Sequence, residues 1–234
     1  MITRWRHLSA VSALVAAVTV AGLWSPAHGA QTIKPAQQAK LDRAVLDYEA
    51  GRIAQAQRHF ESLAARHVPA AQYSLAVMHM RGDVARADLR LARRLLEQSA
   101  RSGFVTAMFT LGQALEGGHF GKADLPLSHR WYESAANAGS VSAQVAVATA
   151  FYLGRGAAKD PVRAARWYRE AAKGGDVGAQ YLLASMYEHG DGLPPNLRLA
   201  RYWYDIAARN GDEAGPGKVQ EIDAKLAAAA TTPP

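Results

Sequence analysis

The chain contains no cysteine in its 234 residues. That absence excludes disulfides, thiolate metal sites and lipoprotein attachment through an acylated cysteine. Catalytic signatures are missing as well. No serine is followed three residues later by lysine, so the base-assisted acyl-enzyme arrangement of penicillin-recognising proteins is absent. No His-Glu-x-x-His occurs, and His59, His67, His119, Asp124 and His129 do not follow a ligand spacing that would gather a metal. The loop glycines of "GRG" and "GDG" lack the Lys-Ser/Thr that completes a phosphate loop. The expectation is a protein with no catalytic residues, no metal and no cofactor.

Long apolar runs are scarce too. One spans Leu8 to Trp24, after Arg4, Arg6 and His7 and before the small residues of "SPAHGA". That order reads as a secretory signal peptide over 1–29, with Ala27-His28-Gly29 as the small-x-small site and a linker over 30–37. A retained anchor is the alternative, because seventeen apolar residues lie near the lower limit of a spanning helix. The expected product is periplasmic or secreted and is not an integral membrane protein. The formal charge of +7 falls by two when Arg4 and Arg6 are removed. A basic surface often indicates nucleic acid, but export argues against such a partner. Helix-surface pairs Arg94–Glu97, Arg130–Glu133 and Arg166–Glu170 are expected to compensate part of the charge. The rest would form either a solvated face or a ridge that touches an anionic glycan, the cell wall or an acidic partner.

What the chain does have is repetition. "RWYREAAKGGD" from Arg166 has counterparts 36 residues earlier, "RWYESAANAGS" from Arg130, and 36 residues later, "YWYDIAARNGD" from Tyr202. A weaker copy, "RLLEQSARSGF", starts at Arg94. A fixed period of this length marks a recurring supersecondary unit. In each unit Ala71, Ala107, Ala143 and Ala179 open an apolar helical face, a first helix A. The glycine column Gly82, Gly118, Gly154 and Gly190 ends it. Asp88, Asp124, Asp160 and Asn196 then offer N-caps for a second helix B. Helix B carries Leu95, Trp131, Trp167 and Trp203 as expected core residues, followed by paired small residues and the closing glycines Gly103, Gly139, Gly175 and Gly211.

The expected organisation is a degenerate N-terminal hairpin over 38–70, four repeats over 71–106, 107–142, 143–178 and 179–214, a C-terminal capping helix over 215–228 and a frayed tail over 229–234. Such hairpins cannot bury both faces alone and stack into a continuous core.

These columns resemble the Sel1-like repeats, relatives of the tetratricopeptide repeats, most fully in "AQVAVATAFYLGRGAAKDPVRAARWYREAAKGG" from Ala143. The resemblance covers about 71–214. Val84 and Phe120 stand where Gly156 and Gly192 supply the second loop glycine of the later units. It implies an all-α, right-handed α-solenoid of stacked hairpins that presents a groove to a polypeptide partner. Exported bacterial members are similar in serving as periplasmic adaptors or regulators. Some exported, cysteine-rich members act on β-lactams, which leaves a cell-wall-acting enzyme as a distant alternative.

If helix A lines the groove, its non-repeating positions become the candidate protein-binding residues. These are Ser74, Val77, Met80 and Arg81 in the first unit, and Thr110, Gln113, Glu116 and Gly117 in the second. In the third and fourth they are Ala146, Thr149, Tyr152 and Leu153, then Leu182, Ser185, Glu188 and His189. Tyr152 and Leu153 are the expected apolar anchors.

Overall fold

The computed structural model describes residues 33–231, which form eleven helices and no strands. The expected signal segment lies outside these residues. The chain divides into two compact units, at residues 123 and 124.

In the first unit, α1 (Pro35–Glu49) and α2 (Ile53–Ala64) make the non-repeating hairpin. Helix α1 starts inside the stretch read as a linker, because Pro35 occupies its first turn, where a missing N–H costs nothing. Leu41, Ala44, Val45 and Tyr48 of α1 are buried with Ala56, Phe60 and Leu63 of α2. Helices α3 (Pro69–Arg81), α4 (Leu89–Arg101) and α5 (Val105–Glu116) follow, each packed on its predecessor. Tyr48 ties the hairpin to the loop after α3 by donating its hydroxyl to Asp83, 2.7 Å away.

The second unit contains α6 (Leu125–Asn137), α7 (Val141–Leu153), α8 (Pro161–Lys173), α9 (Val177–His189), α10 (Leu197–Arg209) and α11 (Gly215–Thr231). Again each helix packs on the next. Helix α11 runs to Thr231, through residues expected to fray, because its last two turns are mostly alanine, the strongest helix former.

Local chemistry sets the helix boundaries. At the start of each B helix the expected side chain accepts from free backbone N–H groups. Asp88 takes Arg90 and Leu91, Asp124 takes Leu127, Asp160 takes Arg163 and Asn196 takes Leu199, at 2.8–3.0 Å. Gly154 ends α7 at φ 71°, a left-handed conformation that side chains resist. Asp160→Ala is expected to lower stability by about 1 kcal/mol, measured by urea denaturation, and to leave partner affinity unchanged. A loss of affinity at unchanged stability would make that carboxylate a contact residue.

The core of helix B keeps Leu95 in α4, as expected, but differs at the tryptophans. Trp131, Trp167 and Trp203 are half-buried, whereas Tyr132, Tyr168 and Tyr204, one residue on, are buried, as is Leu96 in α4. The reason is helical phase. In α8 the buried stripe runs Ala164, Tyr168, Ala171 and Ala172, so Trp167, about 100° around the helix, falls at its margin. Tyr204 has no exposed surface and packs with Ala184, Ala200 and Ile222, with Tyr181, Leu197 and Val219 around them.

Candidate interaction surface

The A helices place the candidate residues unequally. In the first unit, α3 is enclosed by α2 and α4, so Ala71 through His79 are all buried. Ser74 and Val77, expected to face outward, are therefore core residues, 1% and 7% exposed. Arg81 and Met80 are half-buried, and Arg81 lies close enough to influence the Tyr48 hydroxyl. On α5, Gln113 and, just beyond its end, Gly117 are exposed, while Thr110 and Glu116 are half-buried.

The second unit has the more accessible surface. Leu153 at the end of α7 is 54% exposed and Leu182 on α9 is 40% exposed. Ala146, Thr149, Tyr152 and Ser185 are half-buried, and His189 is exposed. Tyr152 donates its hydroxyl to Asp191 at 3.3 Å. The His189 ring nitrogen Nδ1 lies 2.9 Å from the Ser185 carbonyl oxygen. Thr149 shares a 3.0 Å hydrogen bond with the hydroxyl of Tyr168. Burial holds the Tyr168 hydroxyl above its ordinary pKa, so at neutral pH it remains a neutral donor and acceptor.

Glu188 departs from the expected role. Its side chain is 4% exposed and is surrounded by Tyr204 at 2.9 Å, Lys225 at 2.7 Å and Lys218 at 3.4 Å. Burial alone would raise its pKa, but the hydrogen bonds from Lys225 and Tyr204 and both lysine charges outweigh it and hold the carboxyl below its ordinary value. Glu188 thus joins α9 to α11 instead of facing a partner. Burial, with the adjacent Glu188, pushes Tyr204 up in turn.

Two columns were missed in the sequence although both recur there. Tyr132, Tyr168 and Tyr204 form one, buried one residue after the tryptophans that the spacing puts forward as core. The glutamines after the opening alanine, Gln144 and Gln180, donate Nε2 to carbonyls of the preceding B helix, Ala136 at 3.4 Å and Ala172 at 3.1 Å.

The charge pairs also differ from the expected ones. Glu97 binds Arg93 and Arg101, Glu133 binds Arg163 from α8 at 3.0 Å, and Glu170 binds Lys173. His129 is buried, with its ring edge on Phe151 at a 4.8 Å centroid distance and Nε2 3.5 Å from Glu133. Burial depresses its pKa despite that carboxylate. His59 pairs with Asp47. Among the described residues, no three His, Asp or Glu side chains gather to hold a metal ion. The outward positions of α7 and α9 combine exposed Leu153, Leu182 and His189 with the half-buried hydroxyl side chains of Thr149, Tyr152 and Ser185.

The model of the family described as Sel1 repeat matches residues 69–104, 105–140, 141–176 and 177–212, well over half of the chain. The chain belongs to the Sel1 repeat family. Its fold is an all-α repeat solenoid, and Sel1 repeat proteins generally mediate protein–protein interaction. Among solved structures it is similar to a protective antigen of uropathogenic Escherichia coli strains displaying an SLR fold, at 25% identity and a TM-score of 0.74. That match covers 80% of this chain and 41% of the antigen, so the chain spans about two-fifths of the antigen's length. It is also similar to a Sel1 repeat protein from Oxalobacter formigenes, at 27% identity and a TM-score of 0.70, covering 77% of this chain and 72% of that one. None of the curated proteins matches. Among the described residues no helix of this Sel1 repeat protein is long and apolar enough to cross a membrane.

Proposed function

We propose that this Sel1 repeat protein is a non-catalytic scaffold or regulator, exported to the periplasm or beyond, that holds a polypeptide partner on its A helices. The observation that carries the reading is the surface of α7 and α9. Leu153 and Leu182 are exposed there among Thr149, Tyr152, Ser185 and His189. Their identities vary from repeat to repeat while the core columns stay fixed. Exposed leucines supply apolar anchors, and hydroxyl and imidazole groups can bond to a bound main chain, so an extended or helical peptide is the matching ligand. Export rests on the basic, apolar and small-residue order of 1–29.

The test is photo-crosslinking in cells from residues 153 and 182, with residue 173 on α8 as a control, followed by identification of the captured protein. With that partner purified, Leu153→Asp combined with Leu182→Asp is expected to weaken binding at least about tenfold, or ~1.4 kcal/mol, at an unchanged melting temperature. Equal capture from all three positions, or unchanged affinity in the double variant, would remove the A helices as the site.

A further inference from the structure

Charge in the second unit is segregated by helix. The B helices α6, α8 and α10 carry eight Arg or Lys residues against three acids. The A helices α7 and α9 carry one Glu and no Arg or Lys, and that Glu188 is occupied by lysines of α11. An anionic ligand therefore meets its complement on the B helices.

Part of this charge is fixed in place. Arg163 bridges to Glu133 and lies over the Phe151 ring, 3.9 Å from its centroid. Arg169 donates to the Tyr187 hydroxyl at 2.9 Å. The acids of the three B helices are already engaged, Glu133 with Arg163, Glu170 with Lys173 and Asp205 with Arg209. Arg130, Arg166 and Arg198 are exposed on the same helices, so their guanidinium groups face solvent without those acids to neutralise them. On α8, Arg166 and Trp167 line an open cleft of about 400 Å³ with Arg163, Arg169 and Glu170.

Aromatic rings stand among these cations. Trp167 is half-buried, and Tyr202 is 53% exposed, set edge-on to Trp203 at a 5.3 Å centroid distance. Tyr202 occupies in α10 the repeat position that Arg166 occupies in α8. Exposed rings next to guanidinium forks match one polymer chemistry better than others. Guanidinium groups pair bidentately with carboxylates, and flat rings pack against the C–H faces of pyranoses. An acidic peptide would use the arginines and leave the rings without a counterpart.

We propose that the B-helix face of residues 124–231 binds a carboxylated glycan chain, with Arg130, Arg166 and Arg198 pairing its carboxylates and Trp167 and Tyr202 packing on its sugar rings. This surface is separate from the exposed positions of α7 and α9 and does not depend on the reading given to them.

The test is titration of the full chain with three probes at low salt, where exposed charges are least screened. The probes are polygalacturonate, neutral dextran and poly-L-glutamate. Binding of polygalacturonate without binding of dextran is expected. Arg166→Gln with Arg198→Gln should weaken polygalacturonate at least about tenfold, and Leu153→Asp should leave it unchanged. Tyr202→Ala should weaken polygalacturonate about fivefold or more while leaving polyglutamate unaffected, and Tyr202→Phe, which keeps the ring, should retain binding. Absence of polygalacturonate binding would overturn the proposal. So would equal affinity for polyglutamate with no effect of Tyr202→Ala, an outcome that would assign the surface to an acidic protein.

Discussion

Tyr204→Ala is expected to lower the unfolding free energy by about 3–5 kcal/mol, the range for removing a fully buried aromatic ring. Tyr204 is 0% exposed and packs on Ala184, Ala200 and Ile222, so nothing nearby can refill its space without moving a helix. The change also withdraws the hydroxyl that donates to the Glu188 carboxylate, leaving a buried charge with one fewer donor. Tyr204→Phe isolates this second effect and should cost about 1–2 kcal/mol. It should also change the response to acid. The Glu188 carboxyl titrates below its ordinary value in the folded protein. Its contribution is therefore complete above the unfolded pKa and is lost as pH falls through the folded one. Removing a donor raises the folded pKa and so shrinks the Glu188 contribution, and acid unfolding of the Phe variant should begin at higher pH. Trp167→Ala, at the margin of its stripe, should cost less than Tyr204→Ala in the same urea titration. The reverse order would restore tryptophan as the core residue.

Gly192→Ala is expected to be the most damaging of the glycine substitutions, at about 2–5 kcal/mol. Two penalties combine. Gly192 has φ 68°, where a side chain costs roughly 1–2 kcal/mol. A Cβ there would overlap the backbone carbonyl of Pro161 at the start of α8, and such overpacking costs typically about 1–3 kcal/mol or more. Gly82→Ala is the matched control, with φ 76° and no atom within 4 Å of the added methyl. It should lose only the backbone part, about 1–2 kcal/mol. If the two variants melt together, the loop does not press on α8 as described.

The helices and their ends were legible because their causes are local. A capping carboxylate three residues before the N–H it accepts, or a glycine where φ must be positive, acts within one turn of chain. The centre of the buried stripe on helix B was harder to read. Trp167 and Tyr168 are both large and both repeat every 36 residues, and only packing against neighbouring helices decides which points inward. The ion pairs failed for a related reason, since Glu133 finds Arg163 thirty residues away instead of Arg130 on its own helix. Among the site residues, Ser74 and Val77 became core because a hairpin that does not follow the repeat, α1 and α2, precedes α3. Glu188 was taken by Lys218 and Lys225 of α11, which likewise lies outside the four repeats. Positions 36 residues apart share surroundings only where repeats stand on both sides, and the first and last A helices lack that.

The turn that joins each B helix to the helix after it is closed by one recurring bond. Phe104 N–H donates to Ser99, Ser140 to Ala135, Asp176 to Ala171 and Asp212 to Ala207, at 2.9–3.2 Å. Within the second unit, the loop leading to the next B helix reaches back as well, with Gly156 against Leu125 and Gly192 against Pro161. A residue gained or lost inside a repeat would shift one contact set against the other and break both. Gain or loss of a whole 36-residue cassette preserves every donor, acceptor and glycine at its station. Inherited changes in length should therefore come in whole repeats, by recombination between equivalent turns, and small insertions should collect outside the segments these contacts span.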